Sequence, residues 1–421
     1  MLLLYYMKLI KKIIFLILYC SFFTCNAQNK FYKFDIYDGE SYLFTMNQSN
    51  DLILNGTKLI NDKIDYSNLS IGQKSIYVFS NLLFTTLLGQ PITHEFGHQS
   101  VLNELGIGSI CKPFIDKNFN ARVTGVTDAT LINLRDTDLP NYIRLHTAGL
   151  ESDYAYLKKS ESKYFYNNSQ EKVYDFDFFM RKIGIQFYYI SYMLPKGKSL
   201  KESDENELDR DIVGHDIFGM VRHLHRPNMT FYRYTEFGDL THTEKKYVKR
   251  IGTMSLLNFL NPVIWKGRNF EINDNVNLNF SVSYSLSPFG DFTEQNIYLN
   301  INEKYKLNPY FRQYYNNETA FLAGGINLSN FQVSNEKIIL NTSLDFWNQP
   351  KNLDFNTNEK LFGIGLKSSI GIQFANWNKK SETAYFNIGA SYKSAGFIPE
   401  SPSLNEDFRM IFGIILSINN N

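Results

Sequence analysis

Asn275-Val276-Asn277-Leu278-Asn279-Phe280-Ser281-Val282-Ser283-Tyr284-Ser285-Leu286-Ser287 decides the fold. Every second residue is apolar and the residues between are all Asn or Ser. A period of two puts the two sets on opposite faces of a β-strand. One face wants lipid or a core, the other wants water. The length suits a membrane-barrel strand of about ten residues. The same alternation returns in three later rows. Phe362, Ile364, Leu366, Ile370, Ile372 and Phe374 form the first. Phe386, Ile388, Ala390 and Tyr392 form the second, and Phe408 through Ile418 the third. Weaker strands are expected near 295–305, 309–316, 321–333 and 337–347, which gives about eight antiparallel strands over residues 268–421. Aromatic residues fall near strand ends, as an interfacial girdle requires.

A secreted β-sandwich also alternates, but its outward faces are more often charged. Asn, Ser and Gly suit the interior of a small barrel. Ser417-Ile418-Asn419-Asn420-Asn421 lacks the terminal aromatic common to outer-membrane barrels. With an even strand number the odd-numbered loops face away from both chain ends. The long loops 348–360 and 393–407 are both odd, and the turns near Leu307-Asn308-Pro309 and Ser334-Asn335-Glu336 are short. Long loops outside and short turns in the periplasm is the outer-membrane rule. A domain joined at the N-terminal end of such a barrel is therefore expected in the periplasm.

The N-terminus reads as a signal peptide over residues 1–27. Lys8, Lys11 and Lys12 are basic, Ile13 to Phe23 is apolar, and Cys25-Asn26-Ala27 puts small residues before Gln28. Cleavage leaves Cys111 as the one cysteine, so no internal disulfide is expected. A net charge of +1 points to no nucleic-acid partner.

Residues 29–70 read as an extended lead-in with a strand or two. Residues 68–267 are mostly helical in pattern, with strand-like pieces between Ile107 and Val126. Helices are expected from Leu139, over Asp175–Leu194, over Glu205–His225 and over Glu244–Trp265. Ser75 to Thr93 carries no charged residue and is expected as a buried core helix. The seven histidines all lie in this part, and none follows His242.

His94-Glu95-Phe96-Gly97-His98 carries the chemistry. On a helix, residues i and i+4 share a face, so both imidazoles reach one metal ion. Zinc suits imidazole and activates water near neutrality. Glu95 is placed to take that water's proton as general base. Pro91 suits a first helical turn and Gly106 a C-cap. A zinc site needs a third protein ligand, and the third ligand is expected to be Glu151 or Asp216, with Asp153 a weaker option. His146 and His215 are candidate donors near the metal. His223 and His225 flank Leu224 and point apart.

The H-E-x-x-H stretch resembles the zincin metalloproteases. The order of features is similar to the site-2-protease type: an apolar helix into His94-Glu95-Phe96-Gly97-His98, a short strand segment, then a helix entered by Ala148-Gly149-Leu150. In that family Gly214-His215-Asp216-Ile217 would correspond to the Asp-Gly helix start and make Asp216 the ligand, whereas a glutamate zincin pattern selects Glu151. The chain departs from it at Asn258-Phe259-Leu260-Asn261-Pro262, where the family's following aspartate is missing, and its other apolar runs are too short to span a bilayer. The resemblance implies Zn2+ as cofactor and a protein or peptide substrate.

The expected architecture is thus α+β, with a mainly helical zincin-like part over 28–267 and a barrel over 268–421. The expected function is peptide-bond hydrolysis by metal-activated water in the cell envelope of a Gram-negative bacterium. The rivals are a non-enzymatic barrel protein whose helical part binds a partner, an inner-membrane protease with a soluble β-domain, and a metal hydrolase acting on other bonds.

Overall fold

The C-terminal strands and one N-terminal strand form one antiparallel sheet of ten strands, each C-terminal strand paired with its neighbours in sequence and the N-terminal strand with the last; among the described residues the two ends of the sheet do not pair with each other. The computed structural model describes residues 30–61, 64, 68–114, 121–166, 172–193, 206–262, 270–273, 275–302, 304–333, 337–377 and 382–420. The expected signal segment lies outside these residues.

Eight of the strands answer the alternating rows: β5 (Val276–Ser287), β6 (Gly290–Ile301), β7 (Tyr305–Tyr315), β8 (Ala320–Val333), β9 (Ile338–Pro350), β10 (Lys360–Trp377), β11 (Glu382–Lys393) and β12 (Asp407–Asn420). β6 starts earlier than the pattern suggests, because the hairpin turns on Pro288-Phe289 and Gly290 takes a φ of 147°, which a side chain would resist. Two further strands extend the count expected from sequence. β4 (Phe270–Asn273) pairs with β5, and β1 (Lys30–Asp38) pairs with β12, Phe34 opposite Leu416. The lead-in is therefore one strand of the sheet, followed by helix α1 (Tyr42–Asn61). The apolar rows face outward: Phe362, Ile364, Leu366, Ile370, Ile372 and Phe374 are all exposed.

The helices continue with α2 (Ile71–Leu82), a π-helical stretch Leu83–Gly89, and α3 (Gln90–Glu104), which ends at Gly106 with φ 70°. A small hairpin follows, β2 (Ile110–Lys112) with β3 (Arg122–Thr124). Then come α4 (Asp128–Thr137), α5 (Leu139–Tyr166), α6 (Lys172–Met193), α7 (Asp216–His225), α8 (His242–Met254) and a 3-10 turn, Ser255–Phe259. Two helices are shorter than their sequence patterns. α7 begins at Asp216 because Gly214 (φ 64°) turns the chain just before it, and after α8 the chain tightens into the 3-10 turn. Ser75–Thr93 is not one buried helix. It runs through α2, the π-helical stretch and α3, and leaves Ile76, Phe79 and Phe84 exposed. No helix among the described residues is long and apolar enough to cross a membrane.

At β5 and β6 the sheet's polar face is covered rather than left to water. α5 lies on it, and most of that helix is buried. Ser281 Oγ and Tyr298 OH donate to Glu161 Oε2 at 2.9 and 3.0 Å, and Lys158 Nζ lies 2.8 Å from Glu294 Oε1. Ser281 of the polar row and Tyr298 thus serve as partners for Glu161 of α5, and Glu294 for Lys158, neither of which could be buried unpaired. The helical part and the sheet are consequently interlocked, not set end to end.

The long loops close over the same helices. Phe355 packs on His225 and Tyr247, with ring centroids 4.9 and 5.7 Å apart. Phe397, Ile398 and Leu404 are buried with Tyr154 and Phe292, and Glu400 reaches Lys158 and Arg312, each at 2.7 Å. α7 and α8, which Phe355 touches, therefore stand at the long-loop end.

Free sheet edges expose unpaired backbone groups. Here both edges are capped by helical segments. On β1, Gln48 Nε2 donates to Tyr37 O (2.6 Å), Tyr37 N–H donates to Gln48 Oε1 (2.8 Å), and Asn55 Nδ2 donates to Lys33 O (2.8 Å). On β5, beyond the short β4, Tyr284 N–H donates to Asn258 Oδ1 (2.8 Å), Asn258 Nδ2 donates to Tyr284 O (3.3 Å), and Val282 N–H donates to Leu260 O (3.2 Å). Asn258→Ala strips both partners from a buried backbone. Each lost partner costs about 1–3 kcal/mol, so a clear fall in the urea midpoint is expected; an unchanged midpoint would show that Asn258 does not hold this edge.

Candidate metal centre

α3 presents His94 and His98 one turn apart, and α7 brings Asp216 to them as its first residue. His94 Nε2 lies 3.0 Å and His98 Nε2 3.5 Å from Asp216 Oδ2. The three donor atoms fall within 4.8 Å of one another. The other ring nitrogens are tied down: His94 Nδ1 lies 2.7 Å from Asp153 Oδ2 and His98 Nδ1 2.7 Å from Leu145 O. Partners of this kind fix the tautomer that leaves Nε2 free for a metal. Asp153 thus stands behind His94 rather than among the three converging atoms.

Two glycines make the convergence possible. At Gly149 of α5 a Cβ would fall 2.5 Å from His98 Nε2 and closer still to His94 Nε2. At Gly97 a Cβ would fall 2.8 Å from the Cβ of Ser152. Such distances are too short for any side chain, so α3 and α5 approach at their bare faces.

Glu151 is not brought to the site. Its carboxylate takes both arms of Arg144, at 3.2 and 3.3 Å, and Arg144 also reaches Glu104 at 2.9 Å. A buried carboxylate facing a buried guanidinium seven residues earlier on the same helix is structural, which leaves Asp216 as the third member of the cluster.

Electrostatics follow from burial and from this crowding. Burial works against protonation of His94, but Asp153 and Asp216 outweigh it and hold its pKa well above the ordinary imidazole value. Burial opposes ionisation of Asp216, yet the His98 and His94 imidazoles hold its carboxyl well below the usual range. Burial pushes Glu95 up to about 8, against the opposing pull of His98 and His94. A metal entering this cluster displaces imidazole protons, so affinity is expected to fall as pH is lowered. Without Asp153, His94 loses its proton at a lower pH, so the pH at which metal uptake begins should move down. The loosened ring should at the same time lower affinity at neutral pH by about 10- to 100-fold. Zinc titrations of Asp153→Asn across pH read both effects.

Tyr188 carries no mark in the sequence, yet its hydroxyl donates to Asp216 Oδ2 at 2.6 Å and its ring lies 5.0 Å from that of His94. Only its place in an apolar helix with Tyr192 four residues on hinted at it. His146 stacks on His223 (5.4 Å) beside Tyr142, and burial holds its pKa well below the ordinary value, so it sits neutral behind the cluster. His215 precedes α7 and packs on Tyr192 and Phe218. His223 and His225 do point apart, the latter to Tyr247 and Phe355.

No family model matches the chain, and no curated protein matches it. Among solved structures there is a weak likeness to a crystal structure of Acinetobacter baumannii OccAB3, with 8% identity and a TM-score of 0.26 over 36% of this chain. The chain spans 47% of that protein, about half its length, and a likeness of this size carries no argument.

Proposed function

We propose that this chain is a zinc-dependent metallopeptidase of a Gram-negative outer membrane, held there by its sheet. One observation carries the reading: His94 Nε2, His98 Nε2 and Asp216 Oδ2 converge while both Nδ1 atoms are held by other partners. That donor set, two imidazoles and a carboxylate, suits zinc with one position left open. When bound, zinc supplies a Lewis acid for a carbonyl oxygen and lowers the pKa of water. The residues supply the rest. Glu95, buried next to the cluster, would be ionised once a cation beside it offsets the effect of burial, and then takes the proton of the attacking water and returns it to the leaving amine. Asp153 and the Leu145 carbonyl keep the two rings in one tautomer. Tyr188 holds Asp216 and brings a phenolic donor to the edge of the site.

The outward apolar rows of the sheet support a lipid setting. With long loops facing outward, the helices at their end, α7 with Asp216 among them, lie toward the cell exterior. The reading predicts that Glu95→Gln retains zinc but loses cleavage by several orders of magnitude. Digestion of a peptide library by wild type and variant, each with its zinc content measured, is the check. A zinc-loaded wild type that cuts no more than Glu95→Gln would leave a metal-holding binding protein instead.

A further inference from the structure

The outward face of the sheet ends at two edges, and what lies between those edges is helical. α1 packs on β1, α2 and the π-helical stretch pack on α6, α1 also reaches α6, and α6 packs on the 3-10 turn that docks on β5. The side chains of Gln48, Asn55 and Asn258 stitch the two ends of this wall to the strands. A wall facing water would carry charge. This one turns out Ile71, Ile76 and Phe79 from one face of α2, exposed by 85, 67 and 60%, followed by Phe84. Ile53 and Ile60 of α1 and Phe187 of α6 are exposed beside them, and Leu256 and Leu260 carry the row to β5.

Several polar side chains of the wall find their partners within it. Thr57, Ser75 and Thr85 each donate their hydroxyl to the carbonyl four residues earlier, at 2.8, 3.0 and 2.7 Å. Asn81 turns inward and donates to Tyr77 O at 2.9 Å. In hydrocarbon every backbone and hydroxyl group must find such an internal partner, and a helix meets this condition as a closed strand does.

We infer that α1, α2, the π-helical stretch, α6 and the 3-10 turn form a helical stave that completes the barrel wall, and that its outer face meets lipid acyl chains. The inference rests on the reading that the apolar face of the sheet is lipid-facing. It adds that the lipid belt crosses from strands to helices without a break. The stave need not contain a spanning helix, because several short helices share the wall. It also places the metal helix α3, which continues directly from the π-helical stretch, immediately behind lipid.

Nitroxide labels in proteoliposomes test this. Ile76→Cys and Phe79→Cys report on the stave, Ile364→Cys and Ile414→Cys on the sheet, and Asn356→Cys on an exposed loop. The background carries Cys20→Ala, Cys25→Ala and Cys111→Ser. Oxygen partitions into lipid and a nickel chelate into water. The expected result is an oxygen-to-nickel collision ratio at 76 and 79 equal to that at 364 and 414, and well above that at 356. If 364 and 414 favour oxygen while 76 and 79 favour nickel, or are shielded from both as under a second copy or another protein, the stave is not lipid-facing and the inference falls alone. If 364 and 414 also favour nickel, the membrane reading falls with it. A photoactivatable phospholipid on the unmodified protein gives the same answer without variants. Adducts within 71–84 support the stave, and adducts confined to the strands overturn it.

Discussion

Purified protein is expected to hold about one zinc per chain, Asp216→Ala and His98→Ala none, and Glu151→Gln a full complement. The contrast between the two acidic residues is the informative part, since both suit the third position on sequence grounds. Asp216 Oδ2 sits 3.0 Å from His94 Nε2 and receives the Tyr188 hydroxyl. Glu151 sits against Arg144. Removing the Glu151 charge leaves Arg144 with Glu104 as its remaining carboxylate partner, in a place where its side chain is almost fully buried. Breaking a buried pair costs about 3–5 kcal/mol, so Glu151→Gln should lose stability and keep metal, while Asp216→Ala loses metal. Zinc lost from Glu151→Gln in folded protein, or retained by Asp216→Ala, would reverse the assignment. Metal analysis paired with urea unfolding separates the two effects.

Gly149→Ala is expected to abolish metal binding although it adds only a methyl group. In a helix interior Ala is favoured over Gly by about 1 kcal/mol, so on local grounds the change should stabilise α5. The added carbon would instead lie 2.5 Å from His98 Nε2 and must push the rings of α3 aside. Overpacking of this kind costs about 1–3 kcal/mol, and the displaced nitrogens no longer converge. The expected signature is near-complete loss of zinc with a change in unfolding free energy of no more than about 3 kcal/mol. Bound zinc at the wild-type level would mean that α3 and α5 have freedom to part.

Parts of this were legible and parts were not, for physical reasons. The outward rows of β10 and β12 were readable because a period of two survives any packing partner. His94 and His98 were readable because their spacing alone puts them on one helical face. The choice between Glu151 and Asp216 was not made, although Arg144, two helical turns before Glu151, was a usable sign that this carboxylate was already spoken for. Asp153 stays a weaker option for the third position on sequence grounds because its distance from a ring nitrogen is a tertiary fact. β1 was hard to place because Phe31-Tyr32-Lys33-Phe34 alternates without saying which strand it joins. Ser75–Thr93 was read as core because hydrophobicity records avoidance of water and cannot distinguish a protein interior from any other apolar surround.

The pairing of β1 with β12 sets an order of assembly. Lys30 lies opposite Asn420, so this seam cannot be zipped until the chain has been delivered through β12. Contacts this distant along the chain make the last step slow. A chain stalled before β12 would leave β1 and β11 each with an unpaired rim, and that half-wrapped species is where quality control would find its target.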